Sequence, residues 1–540
     1  MRRERVYPLI WFISLSLLAI VSLWARPLLP VDETRYISVA WEMWLRGDFL
    51  VPFKNGLPYS HKPPMLFWLI HAGWSVFGVN EWWPRILPSL FSFASLLLTS
   101  WLARQLWPER PRLVWLAPTM MLASMLWLLF STAIMFDILL SFWVLLAIAG
   151  LLMASRGQQQ GWFIFSLGIA AGILTKGPVM ILHVLPLALL APWWSAAVHQ
   201  RKWRWYGFLV MSVSVSVLLV LMWALPAARS GGDAYAQAIF WGQTAGRVAN
   251  SFAHQRAWWW YLPVLPVILF PWLLWPASWK GVFQLGKLMQ EPGVRLVLAW
   301  LIPVFIAFSL ISGKQVHYLL PVFPAFILLI ARGLQEPVSS QKRGLLPVSM
   351  VMVSIGLLLL YLPDQAGLRH IPEWVKDIPS FSGWLVIALG LVIPFLGKRY
   401  DKHQHVMLLA GGNLALVLLL SVFVLRQALP SYDLSQFSQR VAEIQNSSIP
   451  VAYVGTYHDQ FQFSGRLHQP VDVISRADQR NWIKKHPDGR LILNGKRAND
   501  PLLGISEQSI LFRNKWMLIV KAASFARVMA RKDTITVHGG

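Results

Sequence analysis

The sequence predicts a polytopic α-helical membrane protein that carries a small α/β domain at its C-terminal end. Of the 540 residues, 56% are hydrophobic and 13% are charged, whereas a soluble domain carries about 25% charged residues. Apolar segments long enough to cross a bilayer recur up to residue 426, and the composition turns polar from residue 427. These observations divide the chain into a membrane-spanning domain, residues 1–426, and a polar domain, residues 427–540.

The charges in the sequence are unbalanced. Lys and Arg number 48 and Asp and Glu only 24, which gives a formal charge of +24. This excess favours anionic membrane lipids and phosphorylated lipid substrates. It does not favour nucleic acid, because the basic residues are scattered between apolar segments rather than gathered on one domain. Cysteine is absent, so neither a disulfide framework nor a thiolate metal site can form.

About thirteen transmembrane helices are predicted, because a helix needs roughly 20 apolar residues to cross the hydrocarbon core. The first is interpreted as a retained helix rather than a signal peptide, since no small-residue cleavage site follows it. Residues 66–80 are too short for a span and favour a re-entrant or surface helix. The spans lie approximately at residues 8–25, 85–104, 112–131, 133–153, 161–178, 179–197, 205–228, 259–278, 295–311, 316–332, 344–362, 381–397 and 405–426.

Basic clusters in alternate loops predict the orientation in the membrane. By the positive-inside rule these clusters are cytoplasmic. An odd number of spans then places the loop after the first span, the loop at 230–258, the turn at 313–317 and the polar domain on the outer side. The clusters are Arg2, Arg3 and Arg5; Arg104, Arg110 and Arg112; Arg201, Lys202 and Arg204; Lys280 and Lys287; Lys342 and Arg343; and Lys398, Arg399 and Lys402.

The loop after the first span, residues 26–84, is predicted to be the active-site loop of a membrane enzyme. Its apolar residues recur at helical spacing, which indicates an amphipathic helix of about 12 residues lying along a membrane surface. Asp32 and Glu33 open this helix, and His61 and Lys62 follow it in a proline-rich turn. The acidic and basic residues can therefore converge.

Asp32 and Glu33 have an ordinary structural interpretation as well as a catalytic one. Asp32 stands where a helix N-cap belongs, Glu33 where the helix dipole favours an acid, and Gly47 where a C-terminal glycine belongs. The catalytic interpretation depends on finding two adjacent carboxylates at a membrane surface in a chain so poor in acids.

Asp137 is the second predicted catalytic acid. It lies just inside the outer end of the fourth span, where a carboxylate usually faces a cavity or a partner. The alternative is a residue at a helix start whose side chain reaches the water at the interface.

The histidines and cations of the outer loops suggest a phosphate site and a metal site. Lys62 can hold a phosphate as a point charge, and His254 and Arg256 approach the same membrane face from another loop. His61 with His254 and an acid can form a three-ligand site for a divalent metal such as zinc. The alternative is a set of loop residues that touch lipid headgroups.

Lys176 and Lys314 lie at the outer ends of spans, where basic groups can hold a phosphate that enters from the lipid phase. The alternative is interfacial snorkelling. Tyr318 follows Lys314 and either donates a hydrogen bond to the same phosphate or joins the aromatic belt.

The polar domain is predicted to be a small α/β domain. Residues 435–445 and 477–487 have helical patterns, and residues 451–458, 461–467, 489–494 and 510–522 have strand patterns. No glycine-rich phosphate loop occurs, so no nucleotide cofactor is expected.

Several motifs together resemble the bacterial aminoarabinose transferases, relatives of the protein O-mannosyltransferases with the GT-C membrane fold. They are VDETRY, RGDFLVP, the Lys62-Pro63 turn, the aspartate of the fourth span, TKG, HQRAWWWYLP and YLLP. The resemblance covers essentially the whole chain. One departure is His61, which stands where that group has a glutamate before Lys-Pro.

The resemblance implies an inner-membrane enzyme that takes a sugar from undecaprenyl phosphate on the periplasmic face. In the aminoarabinose transferases the sugar, 4-amino-4-deoxy-L-arabinose, goes to lipid A phosphate. It also implies that Asp32 and Asp137 are the essential acids, that Lys62, Arg256 and Tyr318 bind the polyprenyl phosphate, and that His254 is a metal ligand.

Two other functions are weighed against this one. A protein O-glycosyltransferase, or another envelope-glycan transferase, would use the same class of donor and a different acceptor. A lipid or solute transporter would show interrupted helices around a site at the membrane midplane. The acids and bases of this chain instead gather toward one predicted membrane face, which favours an enzyme.

Overall fold

The computed structural model describes residues 6–242, 255–336, 344–368, 371–495, 501–513 and 515–537. The chain forms two compact units. The membrane unit contains Met1–Trp24, Ser60–Asp364 and Ile378–Val424, and the polar unit contains Ala25–Tyr59, Gln365–Asp377 and Leu425–Gly540.

Each of the thirteen predicted spans is helical within the described residues. Nine helices there are long and apolar enough to cross a membrane, which confirms a multi-pass helical protein. They are Val6–Ala25, Trp82–Leu106, Phe136–Ser155, Lys202–Gly231, Pro292–Leu310, Val316–Gly333, Leu346–Gln365, Ser380–Gly397 and a helix that begins at Lys402. The other four predicted spans are shorter or interrupted: Leu113–Leu122 with Met125–Phe130; Gln160–Lys176; Val179–Leu189 with Ala191–Trp194; and Tyr261–Ile268 with Trp272–Leu274 and Pro276–Phe283.

Prolines explain the interrupted segment at 261–283. Pro271 and Pro276 lack an N–H group and cannot continue a helix ladder. Two helix breaks supply hydrogen-bond partners to each other, because the N–H group of Met125, which begins the helix Met125–Phe130, donates to the Phe270 carbonyl at 3.0 Å. The Trp272 indole adds a hydrogen bond to the Met120 carbonyl at 2.8 Å. Backbone groups freed by helix breaks inside an apolar unit are thus satisfied by protein.

The helices Phe136–Ser155 and Gln160–Lys176 form an antiparallel hairpin whose backbones touch through glycines. A Cβ atom at Gly150 would lie 2.6 Å from the Gly161 carbonyl oxygen, and one at Gly168 would lie 2.9 Å from the Ala147 nitrogen. Small residues allow such close packing in membranes. The start of the first helix and the end of the second therefore lie at the same end of the hairpin.

Shorter helical segments complete the membrane unit. The stretch predicted to be a short re-entrant or surface helix is a helix at Met65–Phe77. The remaining segments are Ala196–Gln200, Asp233–Gln237, Ala238–Gly242 and Leu285–Leu288, and the helix Val316–Gly333 begins as a 3-10 helix at Val316–Val322.

The polar unit contains a five-stranded mixed sheet, which confirms the predicted α/β domain. The sheet order is β4-β3-β5-β7-β6, with β3 parallel to β4 and β5, and β7 antiparallel to β5 and β6. A separate hairpin pairs β1 with β2. The strands are β1 Phe53–Lys54, β2 Leu57–Pro58, β3 Val451–Val454, β4 Asp472–Ile474, β5 Arg490–Gly495, β6 Ser506–Phe512 and β7 Lys515–Lys521.

Helices accompany this sheet, and apolar side chains pack in two clusters. Phe437, Tyr453 and Ile519 belong to one cluster, and Ala452 and Leu518 belong to the other. Adjacent residues of one strand enter different clusters because side chains alternate between the two faces of a sheet. The helical segments are Asp32–Arg46, Glu373–Asp377, Arg426–Ala428, Leu429–Ser431, Ser435–Asn446, Gln479–Lys485, Leu503–Ile505 and Ala522–Val537.

One predicted strand of this unit is wrong. Residues 461–467 form turns, and the strand lies instead at β4, which the sequence did not indicate. The alternation of phenylalanine and glutamine resembled a half-buried strand, but Gln462 is buried together with Phe461 and Phe463. The period-2 pattern therefore did not separate a buried face from an exposed one.

The predicted amphipathic helix is present at Asp32–Arg46 and is called here the loop helix. The sequence-based division placed it with the membrane spans, whereas residues 25–59 pack with residues 425–540. Within the polar unit, the Ser38 hydroxyl donates to the Asp459 carbonyl at 2.8 Å and the Trp41 indole donates to the Leu467 carbonyl at 3.0 Å. Its apolar face is buried by protein, so that face does not lie on a lipid surface as predicted.

Candidate active site

Asp32 is the first side chain of the loop helix and is accessible to solvent. The helix N-cap is Val31, and it makes no side-chain capping bond, so the N-cap interpretation of Asp32 is wrong. The Asp32 carboxylate instead accepts hydrogen bonds from the Tyr36 hydroxyl, at 3.0 Å, and from the Arg35 guanidinium. Its side chain is 43% exposed. Gly47 ends the helix with φ of 63°, which confirms it as the C-terminal glycine.

The partners of Asp32 follow from helical spacing. Residues three and four positions apart lie on the same helix face, which brings Arg35 and Tyr36 to Asp32. Burial and the charge of Asp32 raise the pKa of Tyr36, so its hydroxyl stays protonated and acts as a donor. Arg35 and Tyr36 were not predicted as site residues, although this spacing could have identified both.

Glu33 is held in a buried ion pair. The Arg26 guanidinium donates to both carboxylate oxygens, one of them at 3.1 Å, and the Leu29 N–H group donates at 2.8 Å. The side chains of Glu33 and Arg26 are only 4% and 7% exposed. With both oxygens engaged, Glu33 stabilises the turn that leads into the loop helix, and this geometry favours a positioning role over a catalytic one.

Asp137 lies in the first turn of the helix Phe136–Ser155 and is almost fully buried. The Lys176 ammonium contacts its carboxylate at 2.5 Å, because the hairpin brings the start of one helix to the end of the other. The same ammonium lies 4.7 Å from the centre of the Tyr318 ring. Asp137, Lys176 and Tyr318 therefore form one cluster in the membrane unit.

Lys62 and His317 belong to the surroundings of this cluster. Both are close enough to Asp137 to act on its charge, and the Lys62 ammonium lies 5.1 Å from the centre of the Phe136 ring. His317 is a neighbour of Tyr318 in the 3-10 helix Val316–Val322. His317 was not predicted as a site residue, although it lies in the same short segment as Lys314 and Tyr318.

Lys314 and Arg256 join two loops of the membrane unit. The Lys314 ammonium donates to the carbonyls of Arg256 and Ile311 at 3.1 and 2.5 Å, and its side chain is buried. The Arg256 N–H group donates to the Ser312 carbonyl at 3.0 Å. Lys314 is thus engaged by backbone, whereas the exposed Arg256 guanidinium lies over the Trp260 ring, 5.1 Å from its centre.

The predicted metal ligands are only partly within the described residues. His61 is exposed in the turn after residue 59, and His254 lies outside the described residues. Within the part of the chain that the structure describes, no group of three or more His, Cys, Asp or Glu residues is placed to hold a metal ion. The metal site therefore stays a prediction.

Two carboxylate sites result, one in each unit. The polar unit presents an accessible Asp32 with Arg35 and Tyr36, and the membrane unit contains a buried Asp137 with Lys176. The first can accept a proton or hold a cationic group, and the second fixes a lysine among aromatic rings. Convergence of the two sites on one substrate stays a prediction.

Comparisons with known proteins agree over most of the chain. A family model described as dolichyl-phosphate-mannose-protein mannosyltransferase matches residues 7–231. The undecaprenyl phosphate-alpha-4-amino-4-deoxy-L-arabinose arabinosyl transferase of Pseudomonas aeruginosa is 32% identical over 92% of this chain and 98% of that protein. A second transferase of this name, from Pseudomonas fluorescens, is 29% identical over 66% of each chain.

A solved structure has the same fold. The crystal structure of ArnT from Cupriavidus metallidurans bound to undecaprenyl phosphate matches with a TM-score of 0.72, covering 95% of this chain and 96% of that one. The sequence identity is 19%. At this identity the match shows that the two proteins share a fold.

Proposed function

The chain belongs to the family of undecaprenyl phosphate-alpha-4-amino-4-deoxy-L-arabinose arabinosyl transferases, and from this premise we propose that it transfers 4-amino-4-deoxy-L-arabinose from undecaprenyl phosphate to lipid A phosphate. The GT-C fold expected from the sequence is confirmed. The observation that carries the proposal is the match over 98% of the Pseudomonas aeruginosa transferase, because it includes both the membrane unit and the polar unit.

The reaction sets the requirements on the site. The bond between the anomeric carbon of the sugar and the phosphate oxygen of the donor breaks, and its electron pair leaves with undecaprenyl phosphate. A new bond joins the anomeric carbon to an acceptor oxygen. Negative charge therefore grows on the departing phosphate, where fixed cations stabilise the transition state. Lys62, Arg256 and Lys176 are the proposed cations, with Tyr318 as a hydrogen-bond donor.

Asp32 is the proposed catalytic carboxylate. If the acceptor is a hydroxyl group, an accessible carboxylate can take its proton. A phosphate acceptor is already ionised, and Asp32 then positions the acceptor or neutralises the amino group of the sugar. Arg35 and Tyr36 donate to Asp32 and orient it for either task. Asp137 is proposed to orient Lys176.

The location is part of the proposal. We place the protein in the bacterial inner membrane with the reaction on the periplasmic face, because the basic clusters favour cytoplasmic loops on the other side.

The zinc site also belongs to the proposal, supported by the preference of zinc for imidazole nitrogen. No group of three or more His, Cys, Asp or Glu residues is placed to hold a metal ion within the described ranges, and zinc is given no part in the transfer itself. Zinc that copurifies with the wild type and is lost in His61→Ala would support this site.

Transfer of labelled sugar from undecaprenyl phosphate to lipid A tests the function and the role of Asp32. The wild type is expected to transfer label, and Asp32→Asn is expected to lose about 100-fold or more of this activity. Asp48→Asn is the matched control in the same unit. The Asp48 carboxylate accepts from the Leu50 and Val51 N–H groups, and an asparagine oxygen can replace it. Equal activity of the wild type and Asp32→Asn would remove Asp32 from the mechanism.

A protein O-glycosyltransferase is the second candidate, favoured by the match of residues 7–231 to the protein mannosyltransferase model. Mass spectrometry of lipid A and of secreted proteins, from cells with and without the chain, separates the two. A pentosamine added to lipid A phosphate supports the first function. Glycosylated polypeptides with unchanged lipid A support the second.

A further inference from the structure

A cavity of about 420 Å³ lies within the polar unit, beside the strands β3, β5 and β7. Tyr453, Asn494 and Met517 contribute to its wall from these three strands, Arg513 contributes from the turn between β6 and β7, and Lys515 contributes from the start of β7. Its volume is in the range of small-molecule sites, about 300 to 1,000 Å³. It is large enough for a sugar ring that carries a charged substituent.

Among the described residues, the two charged side chains that line the cavity are both cationic. Arg513 and Lys515 are exposed, and no carboxylate of the described residues lines the cavity. Within the same part of the chain, neither cation forms an ion pair. The turn between β6 and β7 is anchored, because the Arg513 N–H group donates to the Ser431 carbonyl at 3.2 Å. Two neighbouring cations favour an anionic ligand, and phosphate suits both arginine and lysine.

Neutral polar groups also line the cavity. The Asn494 amide donates to the Tyr453 hydroxyl at 2.9 Å, so the hydroxyl proton of Tyr453 can point to a ligand. The Gln460 side-chain oxygen accepts from the His458 N–H group at 3.0 Å. The side-chain amide nitrogen of Gln460 is then the group that can donate to a ligand. Such groups match the hydroxyl groups of a sugar. Tyr453 and Phe512 add aromatic rings to the wall.

The cavity adjoins the proposed catalytic carboxylate. Pro30 and Val31 belong to its lining, and they immediately precede Asp32. Asp32 is also close enough to act on the charge of His458, which lines the same cavity. A ligand bound there lies next to Asp32 within one compact unit.

We propose that this cavity binds the phosphorylated sugar headgroup of the acceptor, with its phosphate on Arg513 and Lys515 and its hydroxyl groups on Asn494, Tyr453 and Gln460. The proposal rests on the proposed function, because it assigns the acceptor side of the same reaction. The phosphate of the donor is proposed to bind the cations of the membrane unit instead. A lipid-anchored headgroup and a free sugar phosphate share this chemistry, and the experiment separates them.

Charge removal at the cavity tests the proposal in the full-length protein in nanodiscs. The double variant Arg513→Gln/Lys515→Gln is expected to raise the acceptor KM by about tenfold or more, with kcat and the donor KM unchanged. The matched control is Lys484→Gln/Lys485→Gln, which removes the same charge from an exposed helix of the same unit. The charge-preserving variant Arg513→Lys/Lys515→Arg is expected to keep most of the acceptor affinity of the wild type. A loss that affects donor and acceptor KM equally would overturn the proposal.

Direct binding separates this proposal from the proposed function. Glucosamine 1-phosphate is the soluble probe, and vesicles with lipid A or with phosphatidylglycerol are the membrane probes. We expect the wild type to bind the sugar phosphate and lipid A vesicles more tightly than glucosamine or phosphatidylglycerol vesicles, and the cavity variant to lose this preference.

The outcomes of these two experiments are distinct. Normal transfer with unchanged acceptor KM and probe binding in the cavity variant overturns the site and leaves the function. Probe binding that depends on Arg513 and Lys515, in a protein without transferase activity, overturns the function and leaves a sugar phosphate site. Binding of the soluble probe without preference for lipid A vesicles identifies a free sugar phosphate as the ligand and overturns the assignment to the acceptor headgroup.

Discussion

Two carboxylates in different units meet their cations in opposite ways. Asp137 pairs with Lys176, and the two side chains are 2% and 13% exposed. Asp32 pairs with Arg35 on a helix surface, and these side chains are 43% and 22% exposed. Breaking a buried pair leaves an unpaired charge in a poorly solvated place, whereas an exposed pair contributes little to stability. Loss of one partner of the first pair is therefore expected to destabilise the membrane unit, whereas the second pair is accessible to a substrate.

The largest expected effect is on the buried pair. Lys176→Met leaves Asp137 without its cation, and we expect a loss of about 3–5 kcal/mol of stability. The double variant Asp137→Asn/Lys176→Met is expected to recover much of this loss. Thermal unfolding in detergent measures both, with Lys398→Met, at an exposed lysine, as the control. A single variant as stable as the wild type would show that Asp137 does not depend on Lys176, because Lys62 and His317 also act on its charge.

A buried carboxylate in the polar unit extends the comparison. Burial raises the pKa of Asp459 to about 7, with Glu42 adding to the effect and with Lys54, Arg35 and the Asn55 N–H group opposing it. The folded state therefore holds a proton that the unfolded chain loses near its ordinary pKa, and stability falls as the pH rises toward and through 7.

Asp459→Asn removes this dependence on pH. We expect the variant to exceed the wild type in stability at pH 8, by up to about 4 kcal/mol for a pKa raised by about three units. The advantage should fade toward pH 4, where both proteins carry a neutral group. Unfolding temperatures between pH 4 and 8 measure the difference. A constant difference across this range would mean that Asp459 does not titrate as stated.

A smaller effect is expected at the hydroxyl group that holds Asp32. Tyr36→Phe removes one hydrogen bond, which contributes about 1 kcal/mol. Stability should therefore fall slightly, and transfer should fall more because Asp32 loses its orientation. Tyr432→Phe is the control, since the hydroxyl of Tyr432 has no hydrogen-bond partner among the described residues. Unchanged transfer by Tyr36→Phe would mean that Arg35 alone orients the carboxylate.

The smallest effect on stability is expected for the exposed pair itself. Asp32→Asn should change the free energy of unfolding by less than about 1 kcal/mol, although it should abolish most of the transfer. If Asp32→Asn lowered the free energy of unfolding by several kcal/mol, Asp32 would be a stabilising residue like Asp137. The lost transfer activity of the variant would then reflect unfolding rather than catalysis.

The sequence alone determined the multi-pass helical class, the position of nine long apolar helices among the described residues and the α/β character of the polar domain. These features depend on local composition, because a run of apolar residues favours the bilayer whatever its neighbours are. The family resemblance likewise selected the transferase class from short motifs. Glycine at position 47 was identified because helix ends obey local rules.

Tertiary structure decided which of these local features act together. The loop helix is bound by Asp459 and Leu467, more than 400 positions away, and no helical period identifies such a partner. Asp137 forms an ion pair with Lys176 because two glycine-lined helices pack closely. Glu33 forms an ion pair with Arg26, which lies outside the loop helix. Contacts between distant residues depend on packing and desolvation, which local sequence patterns do not encode, and these contacts separate the supporting carboxylates from the accessible one.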